Sequence, residues 1–184
     1  MGSMWSYFTW SSDGDVPDPN TTLTPNEKKA LRDTWSVIYA NKRENGAAFF
    51  LKLFEVHPDY KKLFKNLEGI NDLEELAKHP RLKAHGLRVM ASFNSLVENL
   101  DDAEVLVQLL VDIGISHAKH KVKEENFNEL GGIVLWLIET KSGNSYSEYA
   151  KEAWTKAWGV MKPIMVKALN DASEEQKQAQ LKTG

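Results

Sequence analysis

Residues 82–100 read LKAHGLRVMASFNSLVENL, and this stretch decides the fold class. Small and apolar residues recur in it at steps of three and four over about five turns, the period of a helix with one face turned to a core. The residues on that face are Leu82, Gly86, Val89, Phe93, Leu96 and Leu100. His85 lies in the same stretch, and because Val89 follows it by four residues, both side chains point into one space. We therefore predict a long helix that directs a histidine toward the core.

The next stretch along the chain repeats this pattern. Asp101 or Asp102 can cap a second helix, because a carboxylate accepts from the free N–H groups of the first turn. Apolar residues then recur on one face, and that face ends on a histidine: Leu106, Leu110, Ile113 and His117. Two successive helices thus each present a histidine toward the core.

The rest of the chain carries further helix signals and no convincing alternation of period two. The run Thr24-Pro25-Asn26-Glu27 is a helix start, with a capping threonine and a proline at the first helical position. A later helix must end near His57-Pro58, because proline disfavours helix in the residue before it. Turns are predicted for 59–71 and helices for 127–138 and 149–169, with a kink or local rearrangement at Pro163. We predict an all-α fold of about six to eight helices.

Composition limits the class of protein. The 184 residues carry a net charge of -3, with 42% hydrophobic residues and no cysteine, which is typical of one soluble domain with extra segments. Without cysteine there are no disulfides, Fe–S clusters or thiolate sites. No basic block indicates nucleic acid and no secretory pattern is present, so we expect a cytoplasmic protein. We assign 1–23 to a flexible leader, 24–172 to the helical domain and 173–184 to a polar tail that frays.

Two histidines on successive core-facing helices indicate a metal cofactor. Imidazole is the commonest axial ligand of haem iron, so His85 and His117 are candidate haem ligands. Zinc is the rival metal, since His117 and His120 are three residues apart, but no cysteine or convincing further ligand accompanies them. His57 and His79 each precede a proline at a helix end and are interpreted as polar surface residues. A haem-free bundle in which the histidines are merely buried is the remaining alternative.

The order of these motifs resembles the globin family over about residues 24–170. The residues that carry the resemblance are Trp35, Leu53-Phe54 before His57-Pro58, Phe64, Lys83-Ala84-His85-Gly86 and Ser116-His117. Within that family, residues 84–90 (AHGLRVM) look similar to globin X, and Phe50 with Pro58-Asp59 is similar to neuroglobin. The resemblance implies a globin fold that encloses haem b, iron protoporphyrin IX.

The resemblance also implies a role for each pocket residue. His117 is the implied proximal iron ligand, and His85 is the implied distal histidine, which binds the iron or stabilises its ligand. Phe64 stacks on the porphyrin, because its ring offers a flat apolar face. The other implied pocket residues are Phe50 and Val89 as distal walls, Ile113 beneath the haem, Arg88 toward a propionate, and His120 or Lys121 on the propionate side near His117.

The implied function is a haem protein that reversibly binds O2, CO or NO. Its iron is expected to be bis-histidyl and six-coordinate at rest, with a role in oxygen binding, sensing or redox chemistry. One alternative is a haem redox enzyme that reduces nitrite or dioxygenates NO with a reductase as partner. The other is a five-coordinate oxygen-storage globin. The same pocket residues serve all of these, so the sequence leaves the physiological reaction open.

The first six residues, Met1-Gly2-Ser3-Met4-Trp5-Ser6, fit the N-myristoylation pattern. Acylation of Gly2 would place the protein at the cytoplasmic face of a membrane. A single myristoyl chain binds a membrane only marginally, so a second signal is needed. Aromatic residues that favour the interface are expected to supply it: Trp5, Tyr7, Phe8 and Trp10. The alternative is that Gly-Ser-Met is a remnant of cloning.

Overall fold

The computed structural model describes residues 15–65, 67 and 69–183, and this part of the chain is helical without strands. The α-helices are α1 (Pro25–Ala40), α2 (Lys42–Val56), α3 (Leu73–Lys78), α4 (Pro80–Glu98), α5 (Ala103–Ala118), α6 (Glu124–Lys141) and α7 (Glu148–Thr183). Two short 3-10 helices cover Pro58–Leu63 and Gly143–Ser145. The predicted all-α fold class is confirmed. Among the same residues we find no helix with the length and hydropathy of a membrane span.

The predicted helix starts are present with their capping bonds. The Thr24 hydroxyl accepts from the Glu27 N–H at 3.1 Å, while the Glu27 carboxylate accepts from the Thr24 N–H at 2.7 Å. Asp102, rather than Asp101, caps α5 by accepting from the Val105 N–H at 3.1 Å. Since these bonds satisfy N–H groups that a helix leaves unpaired, they fix where α1 and α5 begin.

Glycines set the closest helix contacts. A β-carbon added to Gly86 of α4 would lie 2.8 Å from the carbonyl carbon and oxygen of Gly46 in α2, and the reverse is equally true. Gly114 of α5 lies against the Met165 carbonyl and the Ala168 side chain of α7. No side chain fits at either crossing, so backbone packing fixes α4 against α2 and α5 against α7. The helices α4 and α5 are the two that were predicted to carry the site.

Aromatic side chains fill the core beside these crossings. The Trp35 ring lies 5.4 Å from that of Phe93 and 5.9 Å from that of Trp154, measured between centroids. The Trp154 indole N–H donates to the Thr34 hydroxyl at 2.9 Å. Trp35, Thr34 and Trp154 are buried. This cluster joins α1, α4 and α7 through aromatic packing.

Residues 15–23, which the sequence analysis assigned to the flexible leader, pack against the helices. Leu23 is only 1% exposed. The Lys28 ammonium of α1 donates to Asp18 at 2.8 Å and to Asp101, between α4 and α5, at 3.0 Å. Hydrogen bonds from Lys28 and from backbone N–H groups lower the pKa of Asp18 to about 2. The end of this segment is thus attached to the helices by the Asp18–Lys28 ion pair and by the buried side chain of Leu23.

Two other segments differ from expectation. The helix α3 (Leu73–Lys78) follows the predicted turns of 59–71 and was not predicted; its first turn is capped by Asp72 through the Glu74 N–H at 2.8 Å. The last helix continues without interruption through Pro163 and reaches Thr183, so the segment expected to fray is helical. Its residues from Glu174 to Lys182 are exposed. Charged and polar side chains of high helix propensity explain this extension without burial.

Candidate functional site

The distal side of the predicted site is assembled on α2 and α4. The His85 ring is half-buried, and its centroid lies 4.9 Å from that of Phe50 and 5.4 Å from that of Phe64. Phe50 and Phe64 meet edge to face at 5.5 Å. Val89, one turn after His85, is partly buried against the core. The structure therefore brings the rings of Phe50, Phe64 and His85 together, and the role of Val89 as a distal wall stays a prediction.

The proximal side is built on α5. Nδ1 of His117 lies 2.7 Å from the Ile113 carbonyl oxygen, one turn earlier, and 3.2 Å from the Ser116 hydroxyl. Since a carbonyl only accepts, His117 carries a proton on Nδ1, and its Nε2 lone pair is left to bind a metal. The ring of Phe127, from α6, packs edge-on against His117 at 5.4 Å. His117 is thus oriented from two sides before any cofactor is considered.

Both imidazoles are uncharged at neutral pH. Burial, and then the Arg88 charge with smaller effects of His117 and His120, lowers the pKa of His85 to about 4. Burial also lowers the pKa of His117, although its bond to the Ile113 carbonyl opposes that shift. Uncharged imidazole is the form that binds a metal, so both side chains are ready to act as ligands.

Arg88 lies on the exposed side of α4 and contacts the distal histidine. Its Nη2 atom is 3.3 Å from Nδ1 of His85. The predicted contact of Arg88 with a propionate is not tested by this geometry and stays a prediction. Arg88 itself is exposed, while its guanidinium contacts the His85 ring.

A groove of about 450 Å³ opens between α4 and α5. Arg88, Ser92 and Ser95 line it from α4, and Ile113 and Ser116 line it from α5. Ile113 thereby faces the space between the two helices, and its role beneath the haem stays a prediction. Neither His85 nor His117 is among the residues that line this groove, and Asp112 is, so the groove alone does not define a cofactor site.

The two alternatives for the propionate side, His120 and Lys121, follow the end of α5. Both are exposed, and Lys121 has a left-handed backbone with a φ of 60°. The charge of His120 lowers the pKa of both His85 and His117, so His120 lies within electrostatic reach of the pair. The structure assigns Lys121 no corresponding contact with the pair, and the propionate role of either residue stays a prediction.

Sequence reasoning missed two aromatic residues of the site. Phe127 was noted only as the start of a helix, and its contact with His117 depends on how α6 crosses α5. Phe54, which packs edge-on against Phe64 at 5.2 Å, was noted only as part of a motif. Both residues lie on buried helical faces, a signal that marks them as core residues without showing which neighbour they contact.

The residues present fit haem better than a bare metal ion. In the described part of the chain, no three His, Asp or Glu side chains come together as a metal site. A metal between His85 and His117 therefore needs further ligands from a non-protein group, as the four nitrogens of a porphyrin provide. The apolar rings around both imidazoles suit such a disc.

Comparison with known sequences gives the same answer. A sequence model described as Globin matches residues 47–165. Cytoglobin-2 of Danio rerio is 33% identical over 141 residues, which are 76% of this chain and 77% of that protein. Neuroglobin of Danio rerio is 26% identical over 145 residues, which are 79% of this chain and 91% of that protein.

Solved structures share the fold. A structure of the hexa-coordinate haemoglobin of Drosophila melanogaster, described with cyanide binding, has a TM-score of 0.70 and 26% identity, covering 77% of this chain and 92% of that chain. A hexacoordinated haem protein from an anhydrobiotic tardigrade has a TM-score of 0.78 at 21% identity, covering 83% of this chain and 99% of that chain. The tardigrade match shows the fold alone.

These matches cover the helices that carry both histidines, their aromatic walls and the groove between α4 and α5. Haem is accordingly the cofactor of this chain, and O2 and related diatomic gases are its ligands. On the family match, on identity above 30% over most of its length, and on the fold, the chain belongs to the globin family.

Proposed function

We propose that His117 holds the haem iron on one side, that His85 binds it on the other side at rest, and that a diatomic ligand binds once His85 is displaced. The observation that carries the proposal is the environment of His85. Its ring is enclosed by Phe50 and Phe64, burial keeps its pKa near 4, and His117 is close enough to affect that pKa. The similarity to a hexa-coordinate haemoglobin supports the same coordination.

His117 suits the proximal role because its own chain fixes the ring. The Nδ1–H group donates to the Ile113 carbonyl, which sets the tautomer and turns Nε2 away from α5. Haem iron, when bound, supplies the reversible binding of a diatomic ligand. The protein supplies the imidazole, its orientation and the exclusion of water.

The distal side suits a site in which His85 must leave the iron before an external ligand binds. Phe50, Phe54 and Phe64 offer no hydrogen-bond donor, so they leave the distal space dry. His85 supplies an imidazole to this wall. When it leaves the iron, it becomes a hydrogen-bond donor in the same pocket. One side chain thus competes with the incoming ligand and then stabilises it.

The balance between the two positions of His85 sets the apparent affinity. A difference of about 1.4 kcal/mol changes the ratio of bound to released His85 tenfold. The observed affinity for an external ligand is reduced by the fraction of open molecules. Small changes around α4 are therefore enough to shift this protein between a state with His85 bound to the iron and a state with His85 released.

The test measures the observed rate of CO binding to the ferrous protein by rapid mixing at increasing CO concentration. In the wild type, the observed rate should reach a plateau, because release of His85 becomes limiting. In His85→Leu the rate should be faster and should rise linearly with CO. His57→Leu, the same substitution outside the site, should keep the plateau. A linear dependence in the wild type, unchanged by His85→Leu, would favour the five-coordinate storage globin.

We propose in addition that the chain is attached to the cytoplasmic face of a membrane through acylated Gly2. The support is the pattern from Gly2 to Ser6, with the aromatic residues that follow it, all of which lie outside the described residues. In eukaryotic cells, Gly2→Ala should move the protein from membranes to cytosol, while Ser3→Ala, which keeps the pattern, should not. A fully soluble wild type without acyl mass on Gly2 would contradict this proposal.

A further inference from the structure

Arg88 and His85 are adjacent on the surface of α4, and their hydrogen bond has a defined direction. The Nη2 atom of Arg88 lies 3.3 Å from Nδ1 of His85. A guanidinium has N–H donors and no acceptor, so Nδ1 of His85 must accept. An uncharged imidazole that accepts at Nδ1 carries its proton on Nε2.

The proximal histidine has the opposite arrangement. His117 donates from Nδ1 to the Ile113 carbonyl, which leaves its Nε2 unprotonated. The two imidazoles of the site therefore hold their protons on different nitrogens. His117 is in the tautomer that binds iron through Nε2, whereas His85 is in the tautomer that donates a hydrogen bond through Nε2.

We infer that Arg88 is a positioning residue that holds His85 in the Nε2–H tautomer and thereby opposes the binding of His85 to the iron. To bind through Nε2, His85 must move its proton to Nδ1 and lose the bond from Arg88. This inference rests on the proposed six-coordinate resting state, and it names a residue that limits how far that state is populated.

The surroundings of the pair support this role. Phe50 and Phe64 contact the ring of His85 and restrict how far it can turn away from Arg88. Arg88 itself is exposed, so the bond can break and re-form without unpacking the core. A hydrogen bond from a charged donor is stronger than one between neutral groups. Loss of the bond from Arg88 to His85 should therefore change the ratio of bound to released His85 about tenfold.

The direct test is the tautomer of His85 in the intact, haem-loaded protein with CO bound. CO occupies the iron in every sample, so the tautomer is readable by long-range 1H–15N NMR whether or not the resting state is six-coordinate. Wild type should show the proton on Nε2. Arg88→Met should shift it toward Nδ1, and Arg81→Met, an exposed arginine at the start of the same helix, should not.

CO binding to the ferrous protein supplies the second readout. At one fixed CO concentration, Arg88→Met should bind CO about tenfold more slowly than wild type, because more His85 stays on the iron. An unchanged tautomer in Arg88→Met, or an unchanged CO rate, would overturn the inference. A wild type without a plateau in CO binding would overturn the six-coordinate proposal and with it the effect of Arg88 at the iron. In that case the NMR result would still show whether Arg88 sets the tautomer.

Discussion

Gly46 of α2 and Gly86 of α4 meet backbone to backbone, so that a β-carbon on either would lie 2.8 Å from the carbonyl group of the other. His85 directly precedes Gly86, and Phe50 lies one turn after Gly46. This crossing therefore fixes the distance at which the distal histidine meets its aromatic wall, 4.9 Å between ring centroids.

Gly86→Ala should lower the free energy of unfolding by about 1–3 kcal/mol, because the added methyl group overpacks a rigid backbone contact. Gly132, in the middle of α6, has no atom within 4 Å of an added β-carbon. Gly132→Ala should therefore stabilise the protein by about 0.5–1 kcal/mol through helix propensity alone. Urea unfolding of the two variants measures both values. Equal stability of the two variants would contradict the role given to the α2–α4 crossing.

Removal of the Lys28 ion pairs should loosen the 15–23 segment without loosening the whole fold. Lys28→Met keeps the apolar stem but leaves Asp18 without its cation. Amide exchange at Asp18 and Thr22, whose N–H groups bond within the 15–23 segment, should accelerate about tenfold. Lys29→Met is the matched control, since Lys29 pairs with Asp33 on the exposed face of α1. Unchanged exchange in Lys28→Met would show that Leu23 alone holds the segment.

The depressed pKa of His85 predicts how stability depends on pH. In the unfolded chain His85 takes up a proton near pH 6.5, whereas in the folded chain it does so near pH 4. Between these values the unfolded state binds more protons, so the free energy of unfolding falls as the pH is lowered. Above pH 6.5 the group has no effect.

The measurement compares the haem-free forms of wild type and His85→Leu at pH 7 and pH 5 by urea unfolding, because coordination to iron would compete with protonation of His85. Wild type should lose roughly 1–2 kcal/mol more than the variant over this interval, allowing for partial solvent access to the ring. His117, whose pKa is also lowered, contributes with the same sign in both proteins and cancels. Parallel pH profiles would show that His85 is not held uncharged.

His117→Gly should abolish stable iron coordination, and added imidazole should restore it by entering the space that the side chain leaves. The expected restoration follows from Phe127 and the Ile113 carbonyl, which remain to orient a free ring. His120→Ala should keep the wild-type visible spectrum. If His117→Gly kept that spectrum without imidazole, or if His120→Ala lost it, the proximal assignment would be wrong.

The periodicity of the sequence predicted the elements of this site because each helix face is a local property. The stripes that contain His85 and His117 follow from steps of three and four residues, and the end of α2 at Val56 follows from the His57-Pro58 pair. The all-α class and the globin resemblance depend on these local signals, and both are confirmed.

Contacts between distant residues could not be read in the same way. The bridge from Lys28 to Asp18 and Asp101 joins groups 10 and 73 residues apart. The packing of Phe127 on His117 depends on the angle at which α6 crosses α5. Arg88 was assigned to a propionate by resemblance, and the direction of its bond to Nδ1 of His85 appears only with side-chain positions.

The visible spectrum of the ferrous, ligand-free protein reports whether His85 and His117 both bind the iron. We expect a sharp, two-banded spectrum of six-coordinate iron in wild type, which becomes broad and single-banded in His85→Leu. A broad, single-banded spectrum in wild type that His85→Leu leaves unchanged would contradict this expectation.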